Sequence, residues 1–164
     1  IIYDKMNIHN HPAFFEPGAY SFHMISQHHG HENYYYSCPA VSTRYNDAYG
    51  LDVFVRTKLK KDNHRRWIWI VDTAMCGFKH LCHSSVTSVV LKIITEEIHS
   101  GRLKNIIVVN QTLKSKVALL GLWCRMPEYI RKIVIFDENR NFSKLLKIDE
   151  KLQVLNDRLH HQSK

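Results

Sequence analysis

The sequence predicts a single α/β domain built on a mainly parallel β-sheet flanked by helices. Three apolar runs, at residues 67–72, 105–110 and 131–137, have the length and composition of buried strands. Segments with apolar residues at helical spacing separate them, at 86–99 and 114–124. Strands that are apolar throughout and alternate with helices are typical of a parallel sheet covered on both faces, and the crossovers are expected to be right-handed.

Shorter patterns predict the elements that come before these strands. Three consecutive tyrosines at 34–36, followed by Pro39, predict a further strand that the proline ends. Asn46 or Asp47 is expected to cap the next helix. One apolar face of that helix contains Leu51, Phe54, Val55 and Leu59.

The helix at 86–99 carries a start and a stop signal. Ser84 or Ser85 is expected to act as its N-cap, and Gly101 is expected to end it. Domain organisation follows from these elements: an irregular, histidine-rich segment at 1–33, the α/β domain at 34–147 and a charged C-terminal helix at 148–164.

Size and charge limit the function classes. With 164 residues, 45% of them hydrophobic, the chain can build one ordinary core, and no apolar run approaches the roughly 20 residues that cross a bilayer. The net charge of +8 favours acidic partners such as anionic lipid or an acidic protein surface. The four cysteines, at 38, 76, 82 and 124, are too few and too scattered for a disulfide framework, so buried free thiols are expected.

Catalytic signatures are missing from the sequence. It contains no Gly-rich phosphate loop, no G-x-S-x-G elbow and no H-E-x-x-H motif, so a non-catalytic protein is predicted. Asp72 and Asp137 stand at strand ends, where catalytic acids can lie. We expect them instead to accept hydrogen bonds from loop backbone or to cap the next element.

One short segment has the residue types of a zinc site. Cys76, His80, Cys82 and His83 offer two thiolate and two imidazole ligands within eight positions. Structural zinc sites usually join two ligand pairs across a longer loop, which this segment lacks. We therefore expect no metal here and no cofactor apart from a bound lipid, and zinc is the alternative.

A basic run lies between 56 and 66 and contains six Lys or Arg residues. It can attract an anionic membrane surface, or it can be a solvated helix end whose cations complement the helix dipole. No aromatic residue is interleaved with the cations, so nucleic acid is not an expected partner. The predicted headgroup or surface ligands are Lys58, Lys60, Lys61, Arg65 and Arg66.

Four segments together resemble the CRAL-TRIO lipid-binding domain, over residues 34–147. Tyr-Tyr-Ser-Cys-Pro at 35–39 is similar to its first core strand, and the strand at 67–72 followed by Cys-Gly-Phe at 76–78 is similar to its central strand. The passage at 102–110, which ends in asparagine, is similar to the helix-to-strand passage. Leu-Trp at 122–123, Met-Pro at 126–127 and the strand at 131–135 are similar to the next helix, its proline and its strand.

The resemblance implies a sheet floor and surrounding helices that enclose an apolar cavity for a phospholipid or another hydrophobic molecule. It implies cavity residues on the matched strands and on the helix at 86–99. These are Trp69, Val71, Ile107, Val109, Val90 and Ile94. The expected function is non-catalytic lipid binding or transfer at an anionic membrane surface, by a cytoplasmic protein peripheral to the membrane.

The chain departs from the family pattern, and the departures leave alternatives open. The N-terminal helical module and the leucine-proline turn with paired glycines are not seen. The alternative is a structural accessory subunit of a large assembly, with a mitochondrial location, whose cavity is filled by its own side chains. The positions of the rings of Trp67, Trp69, Phe78 and Trp123 would decide between the two functions. An interaction module of the anti-sigma-antagonist type shares the strand–helix alternation but does not explain the tyrosine strand.

Overall fold

A computed structural model describes residues 18–28, 32–61 and 65–137 of the chain. The predicted C-terminal helix and most of the histidine-rich segment lie outside the described residues. Within them the elements follow in the order β1 (His23–His28), β2 (Glu32–Ser37), a 3-10 turn (Pro39–Val41), α1 (Ala48–Lys61), β3 (Arg66–Asp72), α2 (Phe78–Leu81), α3 (Ser84–His99), β4 (Leu103–Val109), α4 (Leu113–Trp123), α5 (Glu128–Arg131) and β5 (Val134–Phe136).

The five strands form one sheet in the order β1-β2-β3-β4-β5. β1 is antiparallel to β2, and the other neighbours are parallel. The predicted class, a single α/β domain with a mainly parallel sheet flanked by helices, is therefore confirmed. The expectation of an irregular segment at 1–33 was wrong for β1, which pairs with β2 from Glu32 to Tyr36. The pairing is interrupted by an irregularity between Met24 and Ser26.

The largest apolar cluster lies between one face of the sheet and the helices. Its sheet residues include Tyr35, Trp67, Trp69 and Ile106, and α1 and α3 cover them. The predicted apolar face of α1 is confirmed, since Leu51, Phe54, Val55 and Leu59 all belong to this cluster. Phe22 stacks on Tyr35, with ring centroids 4.6 Å apart, and meets Trp67 and Trp69 edge-on.

The opposite face of the sheet carries a second cluster. Ile70 and Val109 are completely buried at its centre, beside Tyr36, Ile68 and Ile107. No residue of the described helices belongs to this cluster; the partly buried residues on it come from β1, β2 and the 3-10 turn. Both faces of β3 and β4 are thus buried, as expected for apolar parallel strands, whereas the described helices pack only on the first.

Local signals explain where the helices begin and end. Asp47 caps α1, because its Oδ1 accepts a hydrogen bond from the Gly50 backbone at 2.9 Å. Gly101 ends α3 at a φ of 73°, with the paired backbone hydrogen bonds of a Schellman motif, as predicted. The N-cap of α3 is His83 without a side-chain bond, not Ser84 or Ser85, which fall inside the first turn.

A buried polar network fixes α3 against the sheet. Glu97 is only 6% exposed, and its carboxylate accepts hydrogen bonds from Trp67 Nε1 at 2.9 Å and from the Arg102 guanidinium at 2.8 Å. Its neighbour Glu96 pairs with Arg56 on the surface. The two adjacent glutamates therefore differ in burial and in their partners: Glu97 bonds to the core, whereas Glu96 makes a surface ion pair.

Replacing Glu97 by alanine is expected to lower the free energy of unfolding by about 3 kcal/mol, because the Trp67 N–H loses its acceptor in the interior. Glu96→Ala should cost less than about 1 kcal/mol, as is usual for an exposed ion pair. Urea denaturation of both variants provides the test. Equal losses would mean that the network contributes no more than a surface pair.

Candidate functional site

A cavity of about 160 Å³ lies on the helix-covered face of the sheet, beneath the gap between α3 and α4. Its floor is formed by alternate residues of β3, β4 and β5, among them Val71, Val108 and Phe136. The first half of α3 and the second half of α4 form its walls, with Val90 and Leu122 as examples. The lining is almost entirely apolar.

Polar lining residues gather beyond the carboxyl ends of the strands. Arg44 and Tyr45 come from the connection after β2, and His80 comes from α2 after β3. The Tyr45 and His80 rings are 5.0 Å apart, and Lys79 Nζ lies 5.6 Å from the centroid of the Tyr45 ring. This end of the cavity therefore has a cationic, aromatic rim, at the edge of a parallel sheet where ligands usually bind.

The imidazole of His80 is held by the loop that precedes it. Its Nδ1 accepts a hydrogen bond from the Gly77 backbone at 3.1 Å, which leaves Nε2 to carry the proton. Partial burial lowers the pKa of His80, and the nearby ammonium groups of Lys79 and Lys114 lower it further. The Nε2–H group of His80 therefore offers this rim a hydrogen-bond donor.

The structure brings together four of the six residues predicted to contact a ligand. Trp69, Val71, Val90 and Ile94 all line the cavity. The placement of the other two was wrong: Ile107 and Val109 belong to the cluster on the opposite face. Their neighbours Ile106 and Val108 line the cavity instead.

The register between β3 and β4 explains this error. Trp69 pairs with Ile106 and Val71 pairs with Val108, so these residues share a face. An irregularity between Trp67 and Ile68 skips one residue of β4 and reverses its side-chain alternation. Because β4 is apolar on both faces, its sequence carries no signal for which alternate residues face the helices.

The aromatic rings do not fill the cavity. The indole N–H groups of Trp67 and Trp69 donate hydrogen bonds within the core, to Glu97 at 2.9 Å and to Ser37 at 2.8 Å respectively. Phe78 is 53% exposed and does not line the space. Trp123 lies in the wall, with its ring 5.4 Å from that of Phe136.

The predicted basic surface lies at the other end of the sheet. Lys58, Lys60 and Lys61 are in the last turn of α1, Arg65 follows, and Arg66 opens β3. With a rise of about 3.3 Å per residue, Arg66 is about 16 Å from Val71 along the strand. These cations are too far from the rim to hold the polar end of a ligand there; Arg44 lies at that rim instead.

Sequence reasoning did not single out Arg44 or Tyr45. The signal was available, because both residues follow the predicted tyrosine strand directly, and the segments after parallel strands meet at one edge of the sheet. The cavity-facing residues of α4, such as Leu119, were also missed, because that helix is apolar on more than one face.

Three of the four residues of the candidate zinc site have separate partners, whereas the buried Nδ1 of His83 has no hydrogen-bond partner among the described residues. Cys76 is buried with its Sγ 3.8 Å from the Asp72 carbonyl, and Cys82 Sγ lies 3.4 Å from the Ala118 carbonyl. His80 is held by Gly77 as described above. Within residues 18–28, 32–61 and 65–137, no group of three or more His, Cys, Asp or Glu side chains is arranged to hold a metal ion.

Asp72 organises the polar carboxyl edge behind the cavity floor. Its carboxylate accepts hydrogen bonds from the Tyr36 hydroxyl, from Asn110 Nδ2 at 3.2 Å and from the Ala74 backbone at 2.9 Å. Burial raises the pKa of Tyr36, and the adjacent Asp72 raises it further. Asp72 therefore has the loop-bracing contacts expected of a structural carboxylate.

Two thiols are buried beside this edge. Cys38 and Cys76 share a hydrogen bond that raises the pKa of Cys38 and lowers that of Cys76. The expectation of buried thiols holds for these two, whereas Cys124 is exposed because it falls on the solvent side at the end of α4.

Comparison of the chain with models of protein families and with curated proteins finds no match. The resemblance to the CRAL-TRIO domain stays a prediction. In the part of the chain that the structure describes, no helix has both the length and the apolar character needed to cross a bilayer.

Loss of the His80 proton site is expected to change the pH dependence of stability. Because the folded state lowers the pKa of His80, the unfolded chain binds this proton more readily. The free energy of unfolding should fall as the pH drops below about 6.5. His80→Asn keeps an acceptor near the Nδ1 position but does not titrate, so its thermal midpoint should fall less than that of the wild type between about pH 7 and 5. Parallel curves would contradict this.

Proposed function

We propose that this domain binds a small hydrophobic ligand without catalysing a reaction. The observation that carries the proposal is the apolar cavity of about 160 Å³ between the sheet and the helices. Protein interiors are close-packed, and an empty apolar void of this size would cost roughly 4 kcal/mol in lost packing. An occupant would recover much of that cost.

The size of the cavity narrows the class of ligand. Engineered cavities of about 150 Å³ take up benzene-sized molecules, whereas sites for larger ligands span about 300–1,000 Å³. Two acyl chains of a phospholipid exceed this space. The proposed ligand is therefore a single alkyl chain segment or a small aromatic group.

The rim supports a ligand with one polar or anionic end. Arg44, whose guanidinium lies 3.8 Å from the Asp47 carboxylate, is the cationic residue of the lining, and His80 Nε2 adds a hydrogen-bond donor. An apolar chain between Trp69 and Val90 with its carboxylate at this rim would satisfy both parts of the site. A single-chain carboxylic amphiphile is the substrate class that fits best.

The alternative is a structural subunit with a self-filled interior. It would require the indole and phenyl rings to occupy the cavity, but the rings of Trp67, Trp69 and Phe78 lie beside it or outside it. The proposed setting for ligand binding is a membrane periphery in the cytoplasm, with an organellar setting as the alternative.

Two neighbouring residues of β5 provide a matched test. Val134 lines the cavity, while Ile135 points to the other face and is 47% exposed. Val134→Phe should fill the space and weaken binding of hexanoic acid, a single-chain carboxylate whose six carbons suit a cavity of this size, roughly tenfold or more, while Ile135→Phe leaves it unchanged. Isothermal titration calorimetry measures both. Equal affinities for the wild type and Val134→Phe would reject the cavity as the binding site.

A further inference from the structure

Helix α4 presents apolar side chains to two different surroundings. Its inner face contributes Leu119 and Leu122 to the cavity wall. On its outer face Leu113 is 81% exposed, Leu120 is 65% exposed and Val117 is 50% exposed. Spaced at i, i+4 and i+7, these three form one stripe along the helix.

Two lysines flank the stripe. At 100° per residue, Lys114 and Lys116 project on either side of the line formed by Leu113 and Val117. Lys114 lies across Gly77, whose missing side chain leaves room for the lysine stem: a Cβ there would be 2.7 Å from Lys114 Cε. This brings the ammonium group next to α2, which carries the exposed Phe78 and Lys79.

The segments that form α2, α4 and most of α3 contain no acidic residue, since none occurs in 73–95 or in 110–127. Leucine and valine that are exposed between lysines, in a protein with net charge +8, complement a layer that is apolar inside and anionic at its surface. A bilayer containing anionic lipid has this order.

We propose that the outer face of α4, with Phe78 and Lys79 of α2, docks the protein on an anionic lipid bilayer. The helix lies parallel to the membrane, with the stripe among the acyl chains and the lysines at the phosphates. The basic run at 56–66 is at the opposite end of the sheet and has no exposed apolar stripe among its described residues, so it does not form this surface.

Docking through α4 would also place the cavity one helix diameter, about 10 Å, from the lipid. The proposed docking deepens the proposed function, but it does not require the cavity to be occupied. Membrane binding and uptake of hexanoic acid can therefore be measured separately.

The test is co-sedimentation with phosphatidylcholine vesicles, with and without phosphatidylserine. The wild type should bind the phosphatidylserine vesicles and release at high salt. Leu120→Asp should lower the partition coefficient roughly tenfold, because a charge replaces the inserted side chain. Ser88→Asp adds the same charge to an exposed position of α3 and should change it less than about twofold. Since Leu120 is exposed, the variant should stay folded and bind hexanoic acid like the wild type.

A charge exchange compares the two candidate surfaces. Lys114→Glu with Lys116→Glu should abolish binding, while Lys60→Glu with Lys61→Glu should retain most of it. The reverse order would overturn the proposal in favour of the basic run. Equal binding by Leu120→Asp and the wild type would also overturn it. A wild-type dimer in analytical ultracentrifugation that Leu120→Asp dissociates would assign the face to a second copy.

Discussion

Four parallel strands in sequential order place their connecting helices on the same face of the sheet. β2 to β5 follow this order, and right-handed crossovers leave no other arrangement. All the described helices therefore pack on the face of the sheet that carries Trp69 and Ile106. How completely they cover this face depends on how closely the helices pack against one another. α3 packs on α1 and α5, while α4 packs on α2, and the cavity lies in the gap between α3 and α4.

Indole hydrogen bonds fix the two tryptophans of β3 in the core. Glu97 accepts a hydrogen bond from the N–H of Trp67 and Ser37 accepts one from that of Trp69, and both rings meet Phe22 edge-on. Trp69 lines the cavity, whereas Trp67 does not.

The amino-acid sequence predicts the elements of this fold better than it predicts the site. The capping aspartate of α1 and the glycine that ends α3 act through local chemistry, so their positions follow from the sequence. The face of the sheet on which Ile107 and Val109 lie cannot be predicted in the same way. It depends on an irregularity in strand pairing that an apolar strand gives no sequence signal for. β1 was missed because its sequence of histidine, serine and glutamine lacks the alternation of a half-buried strand.

Charge was the least reliable guide to the site. The densest cationic run ends about 16 Å along β3 from Val71 at the far end of the cavity floor, because α1 runs back to the amino edge of the sheet before β3 begins. The cations at the carboxyl edge are dispersed in sequence, at positions 44, 79 and 114, and only the crossovers bring them to one end. Residues that are clustered in the sequence, such as the basic run at 56–66, therefore did not identify the cations that are clustered in the fold.

The most direct test of the central claim is native mass spectrometry of the purified protein, before and after incubation with hexanoic acid, a fatty acid short enough for the cavity. An apolar cavity that binds one chain predicts a complex with one fatty acid per protein, and the Val134→Phe variant should not form it. A bare polypeptide mass in both samples would contradict the claim and leave the domain as a structural module.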